Sequence, residues 1–213
     1  MKEKQKVLLA LLSWFDHNGR NFSWRNNNVG LYRLLVSEIF LWKTQAKTVS
    51  PFLKVFFKSY PSPRSIQEAH GATLKKDLKS LGLYNRRSNQ LKMTFGYFSD
   101  KNIPLSEKEF RERFKVGQYI SRSVLSIRYG QNLFPIDHNI KRFFECVFNH
   151  QIENIRNISP KDDAFLKYFI KNGGRKIIWA VIDFATLNCK RSSRDCGSCI
   201  IKRYCHHYSV NNP

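Results

Sequence analysis

The chain has 213 residues, 42% of them hydrophobic, which is enough for one large domain or two small lobes. It lacks a run of roughly 18 apolar residues, and its opening MKEKQKVLLALLSWF breaks off at Asp16-His17 without a small-residue cleavage site; a soluble, intracellular protein, cytoplasmic and nucleoid-associated, is therefore expected. Lys and Arg number 37 against 16 Asp and Glu, a formal charge of +21 spread along the chain, and this points to nucleic acid, because each phosphate neutralised releases condensed counterions.

Apolar spacings of three and four residues recur in chain order: Val7, Leu8, Leu11, Leu12, Phe15; Leu31, Leu34, Leu35, Leu41; Ile120, Val124, Ile127; Ile140, Phe143, Phe144, Val147. Alternation with period two is scarce, so an all-α fold is predicted, its helices parted by turns such as Tyr60-Pro61-Ser62-Pro63, Leu81-Gly82-Leu83-Tyr84 and Tyr129-Gly130. Between the first two helices, Phe22-Ser23-Trp24-Arg25 offers a tryptophan suited to anchoring a lobe. In the second helix Glu38 falls seven residues after Leu31, four after Leu34 and three after Leu35, on the apolar stripe. A carboxylate buried there is costly unless neutralised or used, which favours a pocket acid over a surface charge.

Downstream, Phe114-Lys115-Val116-Gly117-Gln118-Tyr119-Ile120 leads into one helix and Phe134-Pro135-Ile136-Asp137-His138-Asn139 into the next. Asp137 has an ordinary reading as the N-cap of a helix starting near Asn139. Four of the five cysteines then gather as Cys189-x6-Cys196-x2-Cys199-x5-Cys205, while Cys146 sits apart in an apolar helix and reads as core filler. Four close thiols in a reducing compartment point to a soft metal centre. Zinc is one candidate; a cubane iron–sulfur cluster is the other, favoured by a single C-x2-C knuckle with unequal arms.

With these residues in view, C-x6-C-x2-C-x5-C after a helix ending DFATLNC resembles the cluster loop of the endonuclease III and MutY glycosylases, members of the helix-hairpin-helix DNA glycosylase superfamily. The resemblance spans about residues 10 to 207. It implies two helical lobes flanking a DNA-binding cleft in one glycosylase unit: residues 22–135 as a six-helix lobe with the hairpin near 113–121, residues 1–21 plus 136–188 as the second lobe, and 189–205 as the cluster loop. It further implies a 4Fe-4S cluster on Cys189, Cys196, Cys199 and Cys205, with Lys190, Arg191, Arg194, Lys202 and Arg203 available to phosphates. The segment ordered hairpin, helix, Asp, helix places Lys115, Val116, Gly117 and Gln118 at a DNA phosphate and makes Asp137, in a D-x-N context, the carboxylate that stabilises an oxocarbenium-like sugar and orients water.

The family hairpin usually reads L-P-G-V-G, whereas this chain has Arg113-Phe114-Lys115-Val116-Gly117. The lost glycine predicts a weaker phosphate grip or a substitute in the charge of Lys115. Bifunctional members carry a lysine where Tyr119 stands, and a phenol cannot form a Schiff base; a monofunctional enzyme follows, with Tyr119 lining the pocket or packing at the helix start. Ser37-Glu38 matches the S/T-E of MutY and of thymine-DNA mismatch glycosylases, which aims Glu38 at the flipped base. Leu83 resembles the apolar wedge of the thymine enzymes and of endonuclease III, its alternative being a turn residue tucked into the core. Trp42-Lys43 stands where MutY has a glutamine pair, which gives Lys43 a place beside the base.

These departures, with a chain ending eight residues after Cys205 and so without the C-terminal domain of MutY, predict a monomeric enzyme that removes thymine or uracil opposite guanine from double-stranded DNA. Thr44-Gln45 matches MutY and keeps Gln45 and an adenine specificity opposite guanine or 8-oxoguanine as the alternative. A non-catalytic iron–sulfur DNA-binding protein is the alternative of another class.

Overall fold

The computed structural model describes residues 2–26, 28–96, 98–192 and 194–211. Its helices run in chain order as α1 (Lys2–Asn18), α2 (Leu31–Leu41), α3 (Ala46–Ser59), α4 (Pro63–Glu68), α5 (Gly71–Asp77), α6 (Tyr84–Phe95), α7 (Glu107–Phe114), α8 (Gln118–Tyr129), α9 (His138–Phe148), α10 (Pro160–Leu187) and α11 (His206–Asn211). Short 3-10 turns complete it, no strand occurs among the described residues, and the all-α expectation holds. No described helix is long and apolar enough to cross a membrane.

Local signals set the helix boundaries. Ser62 caps α4 through a capping box with Ser65, and Pro63 opens the helix, where its missing N–H costs nothing. Ser106 and Ser159 accept from Glu109 and Asp162 to start α7 and α10. Within α10, Gly174 takes φ +56°, a break in the helix that a side chain would resist.

Packing divides the chain into two compact units, Asn21–Tyr129 and Met1–Arg20 with Gly130–Pro213. In the first, α2 is buried from Leu31 to Phe40 except at Arg33 and packs against α3, α6 and α8. Each large side chain buried along it stabilises by about 1.5–3 kcal/mol, so the helix carrying Glu38 is a rigid central member. Trp24 is buried and stacks on Phe22 at 4.5 Å, the anchoring role its sequence offered.

In the second unit α1 lies along α10. There Arg20 grips the fully buried Asp183 twice through its guanidinium, at 2.9 and 2.7 Å, and again through its backbone N–H at 2.7 Å. Satisfying that carboxylate from three donors is what makes its burial tolerable. Phe143, Phe144, Phe165 and Phe169 form an aromatic cluster in the same unit.

Candidate functional site

The hairpin lies between α7 and α8. Lys115 ends α7 in the left-handed region, φ +52° and ψ +39°, and its N–H closes on the Arg111 carbonyl. The turn geometry that the missing glycine put in question is thus present, carried by a lysine. It is held from outside: Gln90 Nε2 donates to the Lys115 carbonyl at 2.8 Å and Thr94 Oγ1 to the Phe114 carbonyl at 2.9 Å, both from α6. Lys115 and Gly117 are exposed, whereas Val116 and Gln118 are buried. The N-terminus of α8, with its partial positive charge, therefore opens beside an exposed ammonium, an arrangement suited to an anion.

At the start of α8, Tyr119 is half-buried. Ser123 follows it by four residues on the same face, and its Oγ donates to Glu38 Oε1 at 2.7 Å. Glu38 is 5% exposed, so the apolar stripe of α2 does bury it, and α8 provides it with a hydroxyl donor. The turn after α2 holds Lys43 at φ +54°, and the turn before α6 holds Leu83 at φ +51° behind Gly82 at φ +77°. Lys43 and Gln45 are exposed, Gln45 being the residue that precedes α3. Leu83 is 45% exposed, an outward-facing apolar side chain and not a core one.

In the other unit Asp137 caps α9, Oδ1 accepting from Ile140 N at 2.8 Å, and α9 begins at His138. The carboxylate stays half-exposed, and Asn139 Nδ2 donates to Oδ2 at 3.2 Å. Asn139 is in turn held by Arg142 at 3.1 Å, and Arg142 also donates to the carbonyls of Ala185 at 2.9 Å and Cys189 at 3.0 Å. A continuous series of hydrogen bonds thus runs from Asp137 to the first cysteine of the C-terminal loop.

Cys189, Cys196, Cys199 and Cys205 line one pocket. Cys146 lines it too, hydrogen-bonded to Cys189, with Cys205 Sγ directed at the Cys146 carbonyl at 3.6 Å. The expectation that Cys146 stands apart is corrected: α9 turns this residue toward the loop, 43 positions on, that packs over it. Arg194 borders the same pocket. Among the described residues no group of three or more His, Cys, Asp or Glu side chains is placed to hold a metal ion, and the cysteines are free thiols. Sequence reasoning did not find Ser123, Arg142 or Arg87, whose distant partners lie 85, 43 to 47 and 43 to 47 residues away.

Residues 36–159 match the model of the HhH-GPD superfamily base excision DNA repair protein, a span that includes Glu38, the hairpin and Asp137. The thymine/uracil-DNA glycosylase of Methanothermobacter thermautotrophicus is 26% identical over 213 residues, covering 97% of this chain and 95% of that protein. An adenine DNA glycosylase of Buchnera aphidicola subsp. Baizongia pistaciae is 28% identical over 212 residues, covering 95% of this chain but 58% of that protein. Among solved structures, a thermostable thymine-DNA glycosylase superposes with a TM-score of 0.85 at 23% identity, covering 98% of each chain.

Proposed function

Because the chain belongs to the HhH-GPD superfamily of base excision DNA repair proteins, we propose that it is a monofunctional DNA glycosylase, hydrolysing the bond between deoxyribose and a thymine or uracil mispaired with guanine in double-stranded DNA. The observation that carries this reading is Tyr119. It stands at the start of the hairpin helix, one turn from the serine that holds Glu38, where a lyase needs an amine; a phenol there supports hydrolysis without an imine.

The residues divide the reaction by charge. As the C1′–N bond breaks, positive charge grows on the sugar, and Asp137, fixed by its cap bond and by Asn139, stabilises that charge and orients water. Water oxygen then bonds to C1′, where one of its protons remains in the new hydroxyl, while the other is delivered to the departing base, which leaves as a neutral molecule. Glu38 serves the base side, held in orientation by Ser123. Lys115 and the α8 N-terminus, with Val116, Gly117 and Gln118 around them, take a phosphate, while Lys43, Gln45 and Leu83 meet the bases.

We assign Cys189, Cys196, Cys199 and Cys205 to a 4Fe-4S cluster. This assignment rests on the C-x6-C-x2-C-x5-C spacing and on four soft donors lining one pocket with Arg194 at its border, not on a coordinating geometry already formed. When bound, such a group supplies a covalent cross-link that ties the loop together. The protein acts inside the cell as a monomer on DNA.

Cleavage assays with duplexes carrying T:G, U:G and A:8-oxoG pairs, followed by alkali, test the reading. Abasic product from T:G and U:G is expected. Product from A:8-oxoG alone transfers the enzyme to the adenine class that exposed Gln45 after Thr44 supports, and no product from any duplex leaves a non-catalytic DNA-binding protein. A brown colour with iron and sulfide in the purified protein tests the cluster; zinc or no metal defeats it.

A further inference from the structure

Arg87 is the largest fully buried side chain among the described residues, 1% exposed. The two terminal nitrogens of its guanidinium reach five oxygens, every one neutral, so at least one of their four hydrogens is shared between two acceptors, while Nε has no hydrogen-bond partner among the described residues. Nη1 donates to the Leu81 carbonyl at 2.7 Å and the Gly82 carbonyl at 2.5 Å. Nη2 donates to the carbonyls of Phe40 and Trp42, both at 3.0 Å, and to Thr44 Oγ1 at 2.6 Å. Burial lowers its pKa below the ordinary guanidinium value. A charge buried without an opposing carboxylate is expensive, and an apolar side chain would fill the space at less cost.

Four of the five acceptors lie in two turns, and the fifth, the Phe40 carbonyl, is at the C-terminal end of α2, which leads into the first of them. Trp42 precedes Lys43, and Gly82 precedes Leu83; these two are left-handed, at φ +54° and +51°, a conformation L side chains rarely adopt. Arg87 therefore holds the peptide immediately before each of them. Such conformations persist only where their surroundings over-determine them, and one planar fork with several donors can do so for two turns at once. The neighbouring Arg86 adds a second tie, its guanidinium lying 3.9 Å from the Trp42 ring centre. Both left-handed side chains point outward, since Lys43 and Leu83 are exposed.

We propose that Arg87 is a positioning residue that locks the Trp42–Thr44 turn and the Leu81–Leu83 turn into one clamp, so that Lys43 and Leu83 enter the duplex together when a base is extruded. This rests on the base-excision reading above. Extrusion opens a gap that a rigid wedge must fill; a wedge whose turn can relax yields to the returning base. Arg87 acts through the clamp and touches no DNA.

The test is fluorescence of 2-aminopurine placed beside a G:T mismatch, recorded as protein is added, with binding followed separately by anisotropy. The native protein brightens the probe. In Arg87→Met the brightening falls about fivefold or more while affinity changes by less than about threefold, and Arg87→Met combined with Leu83→Ala loses no more than Leu83→Ala alone. Arg87→Lys, which keeps the charge but reaches fewer of the oxygens, falls between; it carries the test if the methionine variant fails to fold by circular dichroism. Native brightening by Arg87→Met, strictly multiplicative losses in the double variant, or no brightening by the native protein overturns the proposal. Brightening without base release defeats the excision reading and leaves the clamp standing, and base release with unaltered brightening in Arg87→Met does the reverse.

Discussion

The guanidinium of Arg142 joins the main chain of Cys189 to the side chain of Asn139, and through it to the carboxylate of Asp137. The cysteine loop and the proposed catalytic carboxylate therefore share one rigid connection inside a single compact unit. Hydrogen bonds from a charged donor contribute about 1.5–3 kcal/mol each, and those to the Ala185 and Cys189 carbonyls lie partly buried. Arg142→Met is expected to cost about 2–4 kcal/mol of stability in urea melts. It should also lower the single-turnover excision rate about tenfold with little change in DNA affinity, as misorientation of a reacting group does. A variant with the native rate would show that the connection carries no orientation.

Asp137 has two roles that one substitution separates. Asparagine is nearly as good an N-cap as aspartate, so Asp137→Asn should keep the bond from Ile140 N and unfold within about 1 kcal/mol of the native protein. The same change removes the negative charge facing the sugar, and base release should fall by about a hundredfold or more. Thermal melting and alkali cleavage on one preparation check both halves.

Ser123 is buried at 2% exposure, and its hydroxyl orients Glu38. In Ser123→Ala the buried Glu38 carboxyl loses its hydroxyl donor, at a cost of about 1–3 kcal/mol. Excision should slow about tenfold, to be measured in single turnover on a U:G duplex. Equal rates in the two proteins would remove Ser123 from the positioning of the acid.

The features legible in the sequence are those whose physics is local. Three- and four-residue spacings gave the helices, the stripe Leu31, Leu34, Leu35 buried Glu38, and an aspartate three residues before Ile140 capped α9. Arg87 escaped because Tyr84-Asn85-Arg86-Arg87 reads as a solvated basic face, and its acceptors on α2 and the following turn are 43 to 47 residues away. Cys146 escaped in the same way, its apolar neighbours on α9 suggesting core and its partner Cys189 lying beyond a whole helix. At Lys115 the loss of glycine suggested a lost turn, since local conformational freedom is what the sequence displays. Tertiary contacts from Gln90 and Thr94 supply the restraint instead.

Lys115 offers the sharpest separation of turn geometry from charge. A non-glycine residue in the left-handed region costs about 1–2 kcal/mol, and glycine returns that strain while giving the unfolded chain about 0.4–1 kcal/mol of extra entropy. Lys115→Gly should therefore be as stable as the native protein or more stable by about 1 kcal/mol. DNA affinity should nevertheless fall severalfold at low salt, and the slope of log affinity against log salt should flatten by about one. Lys115→Ala keeps the strain at φ +52° and loses the charge, so it should match the glycine variant in salt slope and fall below it in stability. Anisotropy titrations across a salt series, paired with melts, read both quantities; an unchanged slope in the two variants would mean that the lysine charge does not meet a phosphate and that the α8 N-terminus holds it alone.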